Sequence, residues 1–199
     1  MYCLTKSIPA IILNSGYSTR LGEPKSFIQV SGKSLLTHAV ERLLFAGCSP
    51  IVIVVNKELQ FDSVMNSNGA TVVVNNNPEN GRTGSLKVAL NSIMTELGRI
   101  PNSVIMSPID RPGWKSSHIT QLFQAKKSSC LSKSGQKGHP VKLVKSDLLK
   151  IINAPDDIPL RDLVEFDNTE VADALLSLNI DTPEDLVELS KHSEFFDEL

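Results

Sequence analysis

Residues 13–25 put two cations and two glycines into one short polar stretch: Gly16, Ser18, Arg20, Gly22 and Lys25. Glycine lets a backbone approach a ligand closely and turn its N–H groups inward, which suits an anion. Arg20 supplies a planar fork of donors and Lys25 a mobile point charge, and both suit phosphate. Far along the chain, Asp110 and Asp181 each follow an apolar run. Each has a plain local explanation, Asp110 as an Asx turn and Asp181 as a helix cap. The five loop residues likewise fit a glycine-rich turn with solvated cations.

The elements around these residues decide what they could do together. Ile11, Ile12 and Leu13 form a short β-branched run that stops at the polar loop, so the loop leaves the carboxyl end of a buried strand. In α/β sheets that is where ligand sites form. After the short apolar stretch 27–30 and the turn signal 31–33, Leu35, Leu36, Ala39, Val40, Leu43 and Leu44 mark one face of a helix ending near Gly47. The uninterrupted run 51–55 reads as a strand covered on both faces. Strand, helix and strand make a βαβ unit with a right-handed crossover. A less regular helix is expected over 57–68, a strand over 71–74, a polar loop over 75–84 and a helix over 85–97. A strand at 103–106 follows, then the loop 107–113 carrying Asp110, and a helix capped by Ser116 that runs to about 126. Residues 128–132 and 140–144 read as a hairpin joined by 135–138, and 147–152 and 160–166 as short helices. Residues 174–180 read as a strand, which runs into a helix with Thr182 as N-cap and Pro183 in its first turn. The acidic, aromatic tail 193–199 has no clear assignment. Alternation of strands and helices implies three α/β/α layers on a mostly parallel sheet.

Bulk properties narrow the class. The chain has 199 residues, 41% of them hydrophobic and 21% charged, with a formal net charge of −2. That is enough for one sizeable α/β domain, and the simplest organisation is a single domain over 1–199. Its first half would cover about 8–113 and its second about 114–190. The slightly acidic balance argues against a nucleic-acid groove. Residues 1–9 show no cleavable signal and no run reaches the ~18 apolar residues of a membrane span, so no membrane partner and a cytoplasmic location are expected. Cys3, Cys48 and Cys130 are odd in number and widely spaced, which fits a reducing compartment and no zinc site.

Three motif readings compete for the loop. A Walker A loop needs Gly-Lys-Ser/Thr, and here Pro24 precedes Lys25. A Rossmann fingerprint needs G-x-G-x-x-G running into a helix, and Pro24 disfavours helical geometry at Glu23. The pattern G-x-S-x-R-x-G-x-x-K is filled by Gly16, Ser18, Arg20, Gly22 and Lys25. It resembles the signature loop of nucleotidyltransferases with a Rossmann-like, glycosyltransferase-A-like fold, and most of all the MobA-like NTP transferases, including molybdenum cofactor cytidylyltransferase. The family's D-x-P matches Asp110-Arg111-Pro112, its late D-T-P-E-D-L matches residues 181–186, and Gly138-His-Pro-Val141 resembles the cytidylyltransferase branch. The resemblance runs from about residue 8 to 186.

The resemblance implies an enzyme that transfers NMP from CTP or GTP to a phosphate-bearing small molecule, first of all molybdopterin, and releases pyrophosphate. Leu13, Asn14, Ser15, Gly16 and Ser18 would approach the nucleotide, with Gly84 and Ser85 near its base and ribose. Arg20 and Lys25 would be catalytic, stabilising the triphosphate. Asp110 and Asp181 would hold Mg²⁺, which favours a few carboxylates beside water and phosphate oxygens. Gly138 and His139 could touch the acceptor, although a lone histidine in a hairpin is more commonly structural. Trp114 could line the acceptor pocket or be a buried anchor. The enzyme would be a monomer or homodimer.

This chain also departs from the pattern. The family's L-A-A-G is Leu13-Asn14-Ser15-Gly16 here, which leaves the base open. Asn179 stands where an aspartate is common, and Lys137 where an arginine usually precedes G-H-P. The alternatives are a sugar- or alditol-phosphate cytidylyltransferase or NDP-sugar pyrophosphorylase, and a non-catalytic nucleotide-binding module.

Overall fold

The computed structural model describes residues 7–198, so Cys3 and most of the amino-terminal stretch read above lie outside the described residues. In chain order the strands are β1 Ala10–Asn14, β2 Gln29–Val30, β3 Lys33–Ser34, β4 Ile51–Val55, β5 Thr71–Val74, β6 Ser103–Pro108, β7 Ser129–Lys133, β8 Gln136–Val144 and β9 Asp167–Glu170. The helices are α1 Leu35–Phe45, α2 Gln60–Met65, α3 Gly81–Leu97, α4 Ser116–Gln124, α5 Lys145–Asn153, α6 Leu160–Leu163 and α7 Pro183–Lys191. Seven strands form one sheet in the order β5-β4-β1-β6-β8-β7-β9, while β2 and β3 pair separately. Strand β8 alone runs antiparallel to its neighbours β6 and β7. The expected three-layer, mostly parallel, Rossmann-like sheet is therefore present.

The central strands alternate between two cores. Ile12, Ile53 and Ile105 point to one face, packed by Leu36, Leu43 and Ile119 from α1 and α4. Ile11, Val52, Val104 and Met106 point to the other, packed by Leu86, Leu90, Leu148 and Ile151 from α3 and α5. Fully burying each such side chain is worth roughly 1.5–3 kcal/mol relative to exposure. This two-sided burial is why β1 and β4 carry unbroken apolar runs. Among the described residues no helix is long and apolar enough to cross a membrane.

Several local expectations are corrected. Residues 174–180 form no strand. Ala174, Leu176, Leu178 and Ile180 are buried in strand-like alternation, but Leu175 N–H donates to Gly113 O (2.8 Å) and Ile180 N–H to Asp110 O (2.9 Å). The segment thus lies along the loop after β6 rather than in the sheet. The helix expected over 160–166 closes at Leu163, and the polar β9 pairs in parallel with β7 instead. Helix α3 starts at Gly81, led in by a 3-10 turn over Pro78–Asn80, so the expected loop is shorter. Lys115, not Ser116, caps α4, and its N–H donates to His118 Nδ1 at 3.0 Å. The hairpin turn is Ser134-Gly135, both with positive φ.

The tail that had no assignment docks on a buried cation. Arg42 of α1 donates to the carbonyls of Pro112 and Trp114 from one nitrogen and of Phe195 and Glu198 from another. Burial lowers its pKa to about 10, still well above neutral. Trp114 is buried beside it and serves as an anchor.

Gly113 is the tightest point of this packing. A Cβ there would sit 2.1 Å from Leu175 O. Gly113→Ala must push the 174–180 segment off the Asp110 loop, and a urea unfolding titration should show a loss of about 2–3 kcal/mol.

Candidate active site

The order of strands creates the site. From β1 the chain goes to β4 and β5 on one side, then returns to place β6 on the other side of β1. The carboxyl ends of β1 and β6 thus flank a topological switch point, where the crevice of an open α/β sheet lies. A cavity of about 210 Å³ occupies it, lined by Asn14 at the end of β1, by Ser15, Gly16 and Ser18 after it, by Lys25, and by Ile109 and Asp110 after β6. Leu13 and Ser85 complete the predicted set at this wall. Gly84 does not line it. A Cβ at Gly84 would meet Asn80 and Asp156, so this glycine lets α3 pack closely.

The loop is braced by its own hydroxyls and by two asparagines. Ser18 has positive φ, its carbonyl accepts from Leu21 and Gly22 N–H, and its Oγ accepts from Lys25 N–H. Asn56, at the end of β4, donates to Ser15 O (3.3 Å) and accepts from Leu59 N–H. Asn75, at the end of β5, donates to Ser85 Oγ, which also lies 2.8 Å from Ser15 Oγ. Neither asparagine was singled out from sequence; each sits one residue past a strand, where asparagine also marks an ordinary turn. The amino end of the 17-residue α3 opens on the same cavity through Gly81 and Arg82, with no acidic residue in its first turn. Gly81 N–H donates to Pro78 O, and the dipole of the helix favours an anion there.

Gly16 lines the cavity, and a Cβ on it would meet no protein atom within 4 Å. The protein's own packing thus leaves room for a side chain that a ligand would not. Gly16→Val should weaken nucleotide binding by about tenfold or more in a fluorescence titration, with the thermal midpoint unchanged.

The charged residues converge from three segments. Lys25 Nζ and Arg20 (3.1 Å) both donate to Asp181, and Asn179 donates to it at 3.1 Å. The Lys25 side chain is 13% exposed and that of Arg20 71%, so Lys25 is the stronger partner. The hydrogen bond from Lys25 comes first among the causes that hold the Asp181 carboxyl below its usual range. A depressed folded-state pKa stabilises the fold at pH above the unfolded value near 4 and loses that contribution as pH falls through the folded one. Acid unfolding of Asp181→Asn should therefore begin with a smaller pH-dependent loss below pH 4 than that of the parent, measured by circular dichroism.

Asp110 stands beside this group. The hydrogen bond from Ile180 N–H to Asp110 O lays the chain carrying Asp181 against the chain carrying Asp110. Asp110 Oδ2 lies 3.9 Å from Arg82, while Oδ1 is buried and accepts no hydrogen bond among the described residues. A buried carboxylate oxygen without a donor is costly and asks for a partner. A hard divalent cation suits it. No cluster of three or more His, Cys, Asp or Glu is placed to hold a metal among the described residues. Two carboxylates are nevertheless the donor set of a magnesium site completed by water and phosphate oxygens.

A larger cavity, about 940 Å³, shares Gly81 and Arg82 with the first and is lined by Gly138, His139 and Arg111 among others. Gly138 packs against Leu176, whose side chain a Cβ here would meet at 3.0 Å. His139 sits where the register of β7 and β8 slips between Cys130 and Leu131. Burial first, then Arg82 and Arg111, lower its pKa to about 3. Its imidazole is neutral at physiological pH, and its Nδ1 is buried without a partner. That leaves His139 without the satisfied hydrogen bonds of a structural histidine. Cys130 also lines this cavity, and burial raises its thiol pKa; burial pushes that of Cys48, in the core, up to about 12.

A mostly parallel sheet thus carries a glycine-rich loop at its switch point, with two cations and two aspartates gathered beside it. Residues 10–183 match the MobA-like NTP transferase domain, and the chain belongs to that family. Rv0371c from Mycobacterium tuberculosis H37Rv superposes with a TM-score of 0.77 at 20% identity, over 93% of this chain and 97% of that one. It has also been solved in complex with manganese. Molybdopterin-guanine dinucleotide biosynthesis protein A from Archaeoglobus fulgidus superposes with a TM-score of 0.62 at 18% identity, over 94% and 99%. Nicotine blue oxidoreductase of Paenarthrobacter nicotinovorans is 23% identical over 146 residues, covering 67% of this chain and 69% of that protein.

Proposed function

We propose that the protein transfers NMP from CTP or GTP to a phosphate-bearing acceptor, with molybdopterin the first choice, in a Mg²⁺-dependent reaction that releases pyrophosphate. The observation that carries this reading is the buried, unpartnered Asp110 Oδ1 beside the Asp181, Lys25 and Arg20 cluster. CTP is favoured over GTP because Gly138-His-Pro-Val141 resembles the cytidylyltransferase branch. The similarity to an enzyme named an oxidoreductase does not displace the reading, because the cations and carboxylates at the switch point are groups suited to phosphoryl chemistry.

The loop at Gly16 and Ser18 cradles the phosphates, and Asn14 and Ser85 face the nucleoside. Arg20 and Lys25 leave Asp181 for the triphosphate and stabilise charge at the α-phosphoryl oxygens and the leaving pyrophosphate. Asp110 and Asp181 would hold the divalent cation, which when bound would supply charge neutralisation and orientation of the α-phosphate. An in-line attack then needs alignment and charge stabilisation more than covalent chemistry. The acceptor enters through the larger cavity and meets the nucleotide at Arg82.

Incubation with CTP or GTP, Mg²⁺ and either molybdopterin or a panel of sugar and alditol phosphates tests the assignment. Pyrophosphate release only with molybdopterin is expected. Release with a sugar or alditol phosphate moves the acceptor to that class. Tight nucleotide binding without turnover on any acceptor indicates a binding module.

A further inference from the structure

The larger cavity holds more unpaired donors than nucleotide binding uses. Arg111 follows Asp110 directly, yet its guanidinium forms no ion pair among the described residues, and its Nε is buried with no acceptor. His139 Nδ1 is buried in the same state. Among the described residues Arg82 has only the 3.9 Å contact to Asp110. All three side chains line one cavity, and Arg82 also lines the nucleotide cavity. The other cations of the wall are engaged, Lys137 with Phe166 O and Arg161 with Asp162. The acidic side chains of the wall, Asp157, Glu165 and Asp167, come from the segment 157–167 rather than from the seam. Buried nitrogens left unpaired are costly, so a group that meets Arg111 Nε and His139 Nδ1, with the half-exposed Arg82 beside them, would be bound strongly.

We propose that Arg111, Arg82 and His139 form an oxyanion site that holds the acceptor's phosphate monoester at the seam between the two cavities. The proposal rests on the nucleotidyl-transfer reading and names the acceptor's reacting group. Two guanidinium forks and an imidazole N–H offer donors in more than one plane and two positive charges. A tetrahedral dianion fits that set better than a flat monoanionic carboxylate. A phosphate dianion also needs no base. One of its oxygens forms the new bond to the α-phosphorus as the bond from the α-phosphorus to the bridging oxygen breaks, and pyrophosphate leaves with that electron pair. A hydroxyl acceptor would have to lose a proton, and burial beside Arg82 and Arg111 makes His139 a weak base in the free protein. Its part is to donate from Nδ1.

Proton NMR of the imidazole C2–H signals, four in this chain, reads the site directly. The His139 signal is assigned with His139→Gln, and phenyl phosphate is titrated in without nucleotide. A saturable shift of the His139 signal is expected. Arg111→Ala should weaken it by about tenfold or more, Arg111→Lys should lie between, and benzoate should bind about tenfold more weakly than phenyl phosphate. Affinity for a fluorescent CTP analogue, in a chain whose circular dichroism is unchanged, should move by less than about threefold in Arg111→Ala. An unshifted His139 signal, or one equally shifted in Arg111→Ala, overturns the oxyanion site. A parent protein that binds phenyl phosphate here but binds no NTP leaves the site standing and removes the nucleotidyl-transfer reading.

Discussion

Asp181→Asn is expected to lower turnover by about 10³-fold or more while tightening nucleotide binding in the absence of metal. The loss follows from removing one of two carboxylates at a site that offers no third among the described residues, and metal-ion charge stabilisation is worth several kcal/mol in such a transition state. The gain follows from the ion pairs. In the free protein Asp181 accepts from both Lys25 and Arg20, the two cations assigned to the triphosphate. A nucleotide arriving without metal must compete with that carboxylate. Asparagine removes the competing charge, and partly exposed pairs of this kind are worth up to about 1 kcal/mol, or roughly fivefold in affinity. Titration of a fluorescent nucleotide in EDTA and in Mg²⁺ measures both effects. Parent-like turnover, or weaker binding in EDTA, would show that Asp181 does not have this double role.

Lys25→Ala is expected to reduce turnover by about 10²–10³-fold, the usual cost of losing a preorganised donor aimed at developing charge. Lys25 is the better-buried cation of the pair, so its loss should exceed that of Arg20→Ala, whose side chain is largely in solvent. Single-turnover measurements at saturating nucleotide separate this from a binding defect. Equal losses for the two variants would mean that exposure in the free protein does not set their weight.

Much of the central fold could be read from the chain because two-sided burial leaves unbroken apolar runs such as 51–55. Helical spacing likewise marked α1, whose Ser34 cap accepts from Thr37 N–H. The errors come where side-chain pattern and backbone pairing part company. Residues 174–180 alternate as a strand does, because one side of the segment packs into the core, but their amides pair with loop carbonyls. Strand β9 is polar throughout and invisible to a hydrophobic pattern. At the site, the signature loop could be read because its residues are contiguous. Arg111 and Arg42 could not, since a lone cation in sequence looks solvated until the fold buries it, as with Arg42, or turns part of it inward, as with Arg111 Nε. Asn56 and Asn75 escaped for a related reason: an asparagine after a strand carries the same local signal whether it turns the chain or braces a loop across the sheet.

The most direct test of nucleotidyl transfer compares the parent and Asp110→Ala, each with CTP, GTP, ATP and UTP in Mg²⁺ and a phosphate-bearing acceptor. Pyrophosphate is assayed and the acceptor is weighed by mass spectrometry. The expected result is pyrophosphate released one for one with an acceptor heavier by one NMP, from CTP or GTP, and lost in Asp110→Ala. Release of inorganic phosphate instead of pyrophosphate, or equal product from Asp110→Ala, would contradict the account.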